Sequence, residues 1–177
     1  MGIVFTRCST NDELRQILDL QKKNLGAHIR AEEKIQEGFV TVSHSLGLLS
    51  EMNAVCPHII AKDNDRVVGY ALCMHPHFRD DIEILKPMFL EIDTILPNVE
   101  CYMIMGQICI DKEYRRQGLF RKLYENMGKA VIPEFKGIIT EVDANNHRSL
   151  QAHYATGFTD LGAYTSGGQN WKLIVLK

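Results

Sequence analysis

Gln107-Ile108-Cys109-Ile110-Asp111-Lys112-Glu113-Tyr114-Arg115-Arg116-Gln117-Gly118-Leu119-Phe120 is the most informative stretch of this chain. Its first residues continue an apolar segment, Tyr102 to Ile110, that reads as a strand. A short polar loop follows. Leu119, Leu123, Met127 and Ala130 then share one face of an amphipathic helix over 119–131. A helix start leaves N–H donors unpaired and carries partial positive charge, which suits phosphate oxygens. Gly118 removes a side chain where a phosphate would approach the backbone. Lys112, Arg115, Arg116, Arg121 and Lys122 put five of the 20 basic residues into eleven positions, and Asp111 and Glu113 offset them only in part. A solvated basic helix start would look the same from this segment alone.

Working outward, strands and helices alternate. Ile3-Val4-Phe5 reads as a strand, and Ser9 to Asp12 offer caps for a helix with Leu14, Ile17, Leu18 and Leu20 at helical spacing. Glu32 to Glu37 reads as a second helix, and a short helix is expected around Leu46, Leu48 and Leu49. His58–Ala61 and Val67–Leu72 flank the polar turn Asp63–Arg66, a hairpin signal. Asp80 to Leu96 is expected to be helical, interrupted at Pro87. Strand 137–142, helix 146–156 stopped by Gly157, and strands near 158–164 and 171–176 complete the chain. Alternation plus hairpins predicts an α/β layer with a mixed sheet.

The loop is neither a nucleotide P-loop nor a dinucleotide fingerprint, since G-x-x-x-x-G-K-[ST] and G-x-G-x-x-G are both missing. Arg115-Arg116-Gln117-Gly118-Leu119-Phe120 resembles instead the pyrophosphate-binding motif of the GNAT superfamily of acyl-CoA-dependent N-acyltransferases, Arg/Gln-x-x-Gly-x-Gly/Ala. Arg115 and Gly118 match; Phe120 stands where the motif has a small residue. A second block, Asn146-His147-Arg148-Ser149-Leu150-Gln151-Ala152-His153-Tyr154-Ala155-Thr156-Gly157-Phe158, matches the family at Asn146, Ser149, Gly157 and Phe158. With Glu37-Gly38-Phe39 and the Val68-Gly69-Tyr70 strand, the resemblance covers essentially the whole chain.

The resemblance implies one domain over residues 1–177, with a mostly antiparallel central sheet of six to seven strands, splayed between two central parallel strands and flanked by helices. It implies direct transfer of an acetyl group from acetyl-CoA to a small-molecule or peptide amine, with no metal. Ile108, Cys109, Ile110, Arg115, Arg116, Gln117, Gly118, Leu119, Phe120, Asn146 and Ser149 are the implied cofactor contacts. A backbone N–H within Gln107 to Ile110 would serve the oxyanion. The family's proton donor to the departing thiolate is a Tyr; counting from Asn146 and from Gly157 both give His153, with Tyr154 one position off register. His153 is therefore the candidate general acid and Tyr154 its alternative, although a packing histidine beside the cofactor fits equally. Glu141 and Glu100 are candidate bases, and Asn146 could also be a helix N-cap. A non-catalytic acyl-CoA sensor or scaffold of the same fold is the alternative reading. Residues His28 to Met52 and Cys73 to Asp81 would face the acceptor, and their acids would suit a cationic amine.

Composition excludes several classes. The chain has 177 residues, 45% hydrophobic and 24% charged, with net charge −2, which argues against a broadly basic nucleic-acid surface. No apolar run reaches the roughly 18 residues of a membrane-spanning helix, and no secretory signal opens the sequence. Met1 to Thr6 fits the N-myristoylation pattern, but those residues also begin the first strand. Cys8, Cys56, Cys73, Cys101 and Cys109 are odd in number and lack C-x-x-C spacing, so reduced thiols and a cytoplasmic location are expected. His75-Pro76-His77 offers two ligands without a third at metal-site spacing. The terminal strands are expected to be available for pairing across a homodimer.

Overall fold

The computed structural model describes residues 2–25, 40–96, 101–132 and 134–177. The Glu32–Glu37 helix, Glu37-Gly38-Phe39 and Glu100 lie outside the described residues. Among the described ones, a seven-stranded sheet runs β1-β2-β3-β4-β5-β7-β6. The strands are β1 (Val4–Arg7), β2 (Ile59–Asp63), β3 (Arg66–Met74), β4 (Tyr102–Ile110), β5 (Gly137–Asp143), β6 (Thr159–Ser166) and β7 (Gln169–Leu176). Neighbours are antiparallel except β4 and β5, which run parallel. β6 forms an outer edge.

Two helical layers cover the sheet. On one face lie α1 (Asn11–Asn24), α2 (Leu46–Val55) and α3 (Lys86–Ile95), packing Ile17, Leu49, Met52, Phe89 and Ile92 against Tyr70, Leu72 and Ile104. On the other, α4 (Leu119–Val131) and α5 (His147–Thr156) pack Leu119, Leu123, Met127 and Leu150 against Ala71, Met103, Met105 and Ile138. The α4 stripe is the one legible in the sequence, and each fully buried Leu or Met there contributes roughly 1.5–3 kcal/mol.

Local chemistry fixes the element ends. Thr10 caps α1 in a reciprocal capping box with Glu13. The β2–β3 turn is tighter than its polar run suggests: Asn64 takes positive φ in a two-residue connection. Gly167 and Gly168, both at positive φ, turn β6 into β7. The expected helix over 80–96 is corrected. Pro76–Asp80 and Glu83–Leu85 are separate 3₁₀ turns, and Pro87 stands in the first turn of α3. There its missing N–H leaves no helical bond unmade, so it starts the helix rather than interrupting it.

One irregularity governs everything downstream. Met103 and Met105 face the α4 layer, and so do Ile108 and Ile110. Strict alternation cannot put both 105 and 108 on one face, so β4 carries an extra residue between them. The register agrees: β3 advances from Ala71 to Cys73 while β4 goes from Ile108 to Met105. Parallel pairing with β5 is confined to Tyr102–Ile104 against Gly137–Ile139. At the next step the Thr140 hydroxyl donates to the Met105 carbonyl across 2.9 Å. Beyond it the two strands separate.

Candidate active site

The separation opens a cleft of two adjoining cavities, about 280 and about 90 Å³, which share Val40, Ile108, Asn146 and Ser149. The larger is walled by the carboxyl end of β4, the loop into α4 and the start of α5. The smaller runs along the widened β4–β5 gap, past Gly106, Thr140, Glu141 and Trp171.

The loop in the larger cavity is held from several sides. Asp111 accepts from the Glu113 N–H and pairs with Arg66 across 2.6 Å, while Glu113 lies 3.7 Å from the same guanidinium. Both acids of the loop are thus engaged by a cation from outside it. The Tyr114 hydroxyl donates to Asp63 at 2.7 Å. Arg115 donates to the Ile110 carbonyl at 3.2 Å and to Asn24 at 2.6 Å, fastening the loop to the end of α1. Arg116 and Gly118 both adopt left-handed φ, 63° and 79°, and Gly118 caps α4. A Cβ built on Gly118 meets nothing within 4 Å, so the space outside the first α4 turn is open. That open, basic, amide-rich turn fits a phosphate group.

Nearly every implied cofactor contact reaches this cavity: Ile108, Cys109, Ile110, Arg115, Arg116, Gly118, Leu119, Phe120, Asn146 and Ser149 line it, with Arg148 and Ala152 added. Gln117 does not, and its side chain turns back to the Glu113 carbonyl. Asn146 caps α5, accepting from the Ser149 N–H at 3.2 Å, while it lines both cavities.

His153 lines the smaller cavity but is 1% exposed. Its ring is ringed edge-on by Phe120, Tyr124 and Phe158, at centroid distances of 5.0, 5.5 and 5.1 Å. Nδ1 lies 2.7 Å from the Ser149 carbonyl, which can only accept, so Nδ1 carries the hydrogen. Nε2 then accepts from the Tyr124 hydroxyl at 2.7 Å. Burial lowers the pKa to about 4. The ring is neutral near pH 7, whereas a general acid would have to hold a second proton there. Phe120 meets this ring, so the large residue at the motif's small position belongs to the packing around His153. Tyr154 is 40% exposed, outside both cavity linings, and donates to Asp160 at 2.6 Å.

Glu141 lines the smaller cavity from β5, and burial raises its pKa to about 7. The Tyr164 hydroxyl donates to its carboxylate and works against that rise. Tyr164 comes from β6, brought close because β7 lies between β5 and β6 with Glu141 opposite Leu173 and Gly162 beside it.

The extra residue in β4 also aims Gln107 inward. Its Oε1 accepts from Tyr70 at 2.6 Å and Gln21 at 2.8 Å, and its Nε2 donates to the Val42 carbonyl at 2.8 Å. Gln21 further contacts His44 Nδ1 at 2.8 Å and accepts from the His44 N–H at 2.9 Å. This buried network fastens the segment from Val40, at the cleft's rim, to α1 and the sheet. Sequence reasoning missed Tyr164, Asn24 and this network. Gly106 inside an apolar strand was the available signal for the bulge.

Among the described residues no group of three His, Cys, Asp or Glu could hold a metal, and no helix is long and apolar enough to cross a membrane. His75 instead caps the 3₁₀ turn, its Nδ1 accepting from the His77 N–H.

Comparisons agree with this architecture. Residues 14–158 match the family model described as Acetyltransferase (GNAT) family. No curated protein matches the sequence. Among solved structures, ribosomal-protein-S18-alanine N-acetyltransferase from Escherichia coli superposes with TM-score 0.66 at 14% identity, over 99% of this chain and 93% of that one. The NatC complex bound to Gag peptide and CoA contains a chain with TM-score 0.68 at 17% identity, over 99% and 98%. The yncA protein from Salmonella typhimurium, solved with its cofactor acetyl-CoA, gives 0.65 at 11%, over 100% and 94%. At those identities the likeness is one of fold, and the family model covers most of the sequence. The chain belongs to the GNAT acetyltransferase family.

Proposed function

We propose that residues 1–177 form a single N-acetyltransferase domain that moves an acetyl group from acetyl-CoA directly to an amine. The observation that carries this reading is the arrangement along the β4–β5 gap. A basic helix start stands at one end and a half-buried carboxylate with raised pKa at the other.

Acetyl-CoA, when bound, supplies an activated thioester carbonyl. The first-turn amides of α4, with Arg115 and Arg116, would hold the pyrophosphate, and Asn146 and Ser149 bound the cleft beside it. The irregular backbone at Gly106–Ile108 lines the gap and offers N–H groups to a developing oxyanion. Glu141 takes a proton from the incoming ammonium or amine, for which a carboxyl titrating near working pH is suited. Tyr164 orients that carboxylate. His153 acts as a positioning residue: neutral and doubly hydrogen-bonded, it fixes the turn that carries Ser149. The Ser149 hydroxyl, on the wall common to both cavities, can donate a hydrogen bond to a departing thiolate, which takes its proton from solvent. Acceptor amines are peptide or small-molecule, and acids at the smaller cavity, Glu141 and Asp143, favour a cationic one.

A thiol-release screen tests this. Purified protein with acetyl-CoA and a panel of polyamines, amino acids, aminoglycosides and peptide amines should release free thiol with at least one class. Stabilisation by acetyl-CoA with no release across the panel would identify the non-catalytic sensor instead. Absence of both would overturn the reading.

A further inference from the structure

A second reactive cluster lies outside the cleft, where α2 hands over to β2. Cys56 is the C-cap of α2, its N–H donating to the Met52 carbonyl at 2.9 Å. Three residues later the chain enters β2, whose Ile59 stands opposite Ala71 of β3. That register, with the Cys73 N–H donating to His58 Nδ1 at 3.1 Å, brings Cys73 against the turn that carries Cys56, and the two side chains pack in one buried cluster. Arg7, exposed on β1, donates to Cys56 Sγ at 3.4 Å and to the Pro57 carbonyl at 3.4 Å. Cys56 is 8% exposed under that guanidinium, while Cys73 is wholly buried behind it.

The five cysteines are therefore not equivalent. The neighbouring Cys73 thiol and then the Arg7 guanidinium favour the Cys56 thiolate and hold its pKa below the ordinary thiol value, against opposition from burial and Glu134. Burial pushes Cys8 up to about 11 and Cys109 up to about 12. Only a thiolate is an effective nucleophile, and a cation beside it is the usual way to hold one. Here a second thiol packs in the same buried cluster.

We propose that Cys56 and Cys73, under Arg7, form a reversible dithiol–disulfide site that reacts with hydroperoxides. The Cys56 thiolate attacks one peroxide oxygen; an S–O bond forms, the O–O bond breaks, and the leaving hydroxide takes up a proton as water. Cys73 then attacks the Cys56 sulfenic sulfur; the S–S bond forms, the S–O bond breaks, and the second oxygen leaves as water with the Cys73 proton. The two thiols together give two electrons to the peroxide. A dithiol reductant reverses the step by exchange. The site depends on neither acetyl transfer nor the cleft.

The experiment is peptide mapping of the intact protein after stoichiometric hydrogen peroxide, with remaining thiols alkylated. A Cys56–Cys73 linked peptide that disappears with dithiothreitol is expected. In Cys73→Ser, dimedone should label Cys56, the sulfenic acid having lost its resolving partner. Arg7→Gln changes an exposed side chain, so it tests the site even if a cysteine variant fails to fold. It should slow disulfide formation several-fold at pH 7. Recovery of Cys56 and Cys73 as alkylated free thiols, with oxidation only at Cys101, would overturn the proposal. An unchanged rate in Arg7→Gln would overturn it equally.

Discussion

The Tyr124 hydroxyl donates to Nε2 of His153 across 2.7 Å inside a closed aromatic cage, and this fixes what that histidine can do. With Nδ1–H committed to the Ser149 carbonyl, a second proton would displace the Tyr124 donation in a site that solvates it poorly. An NMR titration should show the His153 ring neutral down to below pH 5. Tyr124→Phe leaves Nε2 buried without a donor and should cost about 1–3 kcal/mol in urea unfolding. A ring that titrates near its ordinary value would contradict this assignment.

His44 and His58 share that condition. Burial lowers both, like His153, to about 4. Unfolded histidines take up protons near 6.5, so between there and about 4 the unfolded chain binds more protons than the native one. Their contribution to stability is complete above pH 6.5 and is lost as pH falls toward 4. Urea midpoints measured at pH 7.5 and 4.5 should drop on acidification, and less so in His44→Gln, which needs no neutral ring.

Glu141 has the opposite sign. Its folded pKa is raised to about 7, so the native state holds a proton that the unfolded chain has already released. Native stability is then eroded as pH rises from the ordinary carboxylate range through 7. Glu141→Gln should raise Tm at pH 8 and leave it nearly unchanged at pH 4.5, by differential scanning fluorimetry. A Tm that falls at pH 8 would show that the half-buried carboxylate is paired more strongly than Tyr164 alone allows.

Cofactor binding is separable from folding at Gly118. A Cβ there meets no atom within 4 Å, but φ of 79° is unfavourable for any L side chain, by about 1–2 kcal/mol. Gly118→Ala should fold, with KM for acetyl-CoA raised more than kcat is lowered, because the change sits at the proposed phosphate site. Arg115→Ala should raise KM further, since it also releases the tie to Asn24.

Much of this was legible in the sequence, for physical reasons that can be named. The α4 stripe shows because Leu119, Leu123 and Met127 repeat at the helical period, and the α5 stop shows because Gly157 takes left-handed φ. Counting from Asn146 and from Gly157 gives His153, whose side chain lines the smaller cavity, while Tyr154 turns to Asp160. Its protonation was not legible, because it depends on Phe120, Tyr124 and Phe158 arriving from other elements. Glu141 and Tyr164 are 23 residues apart and meet only because β7 inserts between their strands. Pro87 misled for a simpler reason: the same ring breaks a helix interior and suits a helix start, and only the boundary decides.

Direct acetyl transfer to an amine, with Glu141 taking the proton, would leave a kinetic signature. It is tested most directly by the pH–rate profile of amine acetylation, read as product mass, for the native enzyme and Glu141→Gln. Acetyl is expected on the amine and none on the protein. The native rate should climb as pH rises through about 7, with kcat about 10²–10⁴-fold lower and that limb missing in Glu141→Gln. An acetylated protein that passes its group to the amine, or a Glu141→Gln enzyme with the native profile, would contradict it.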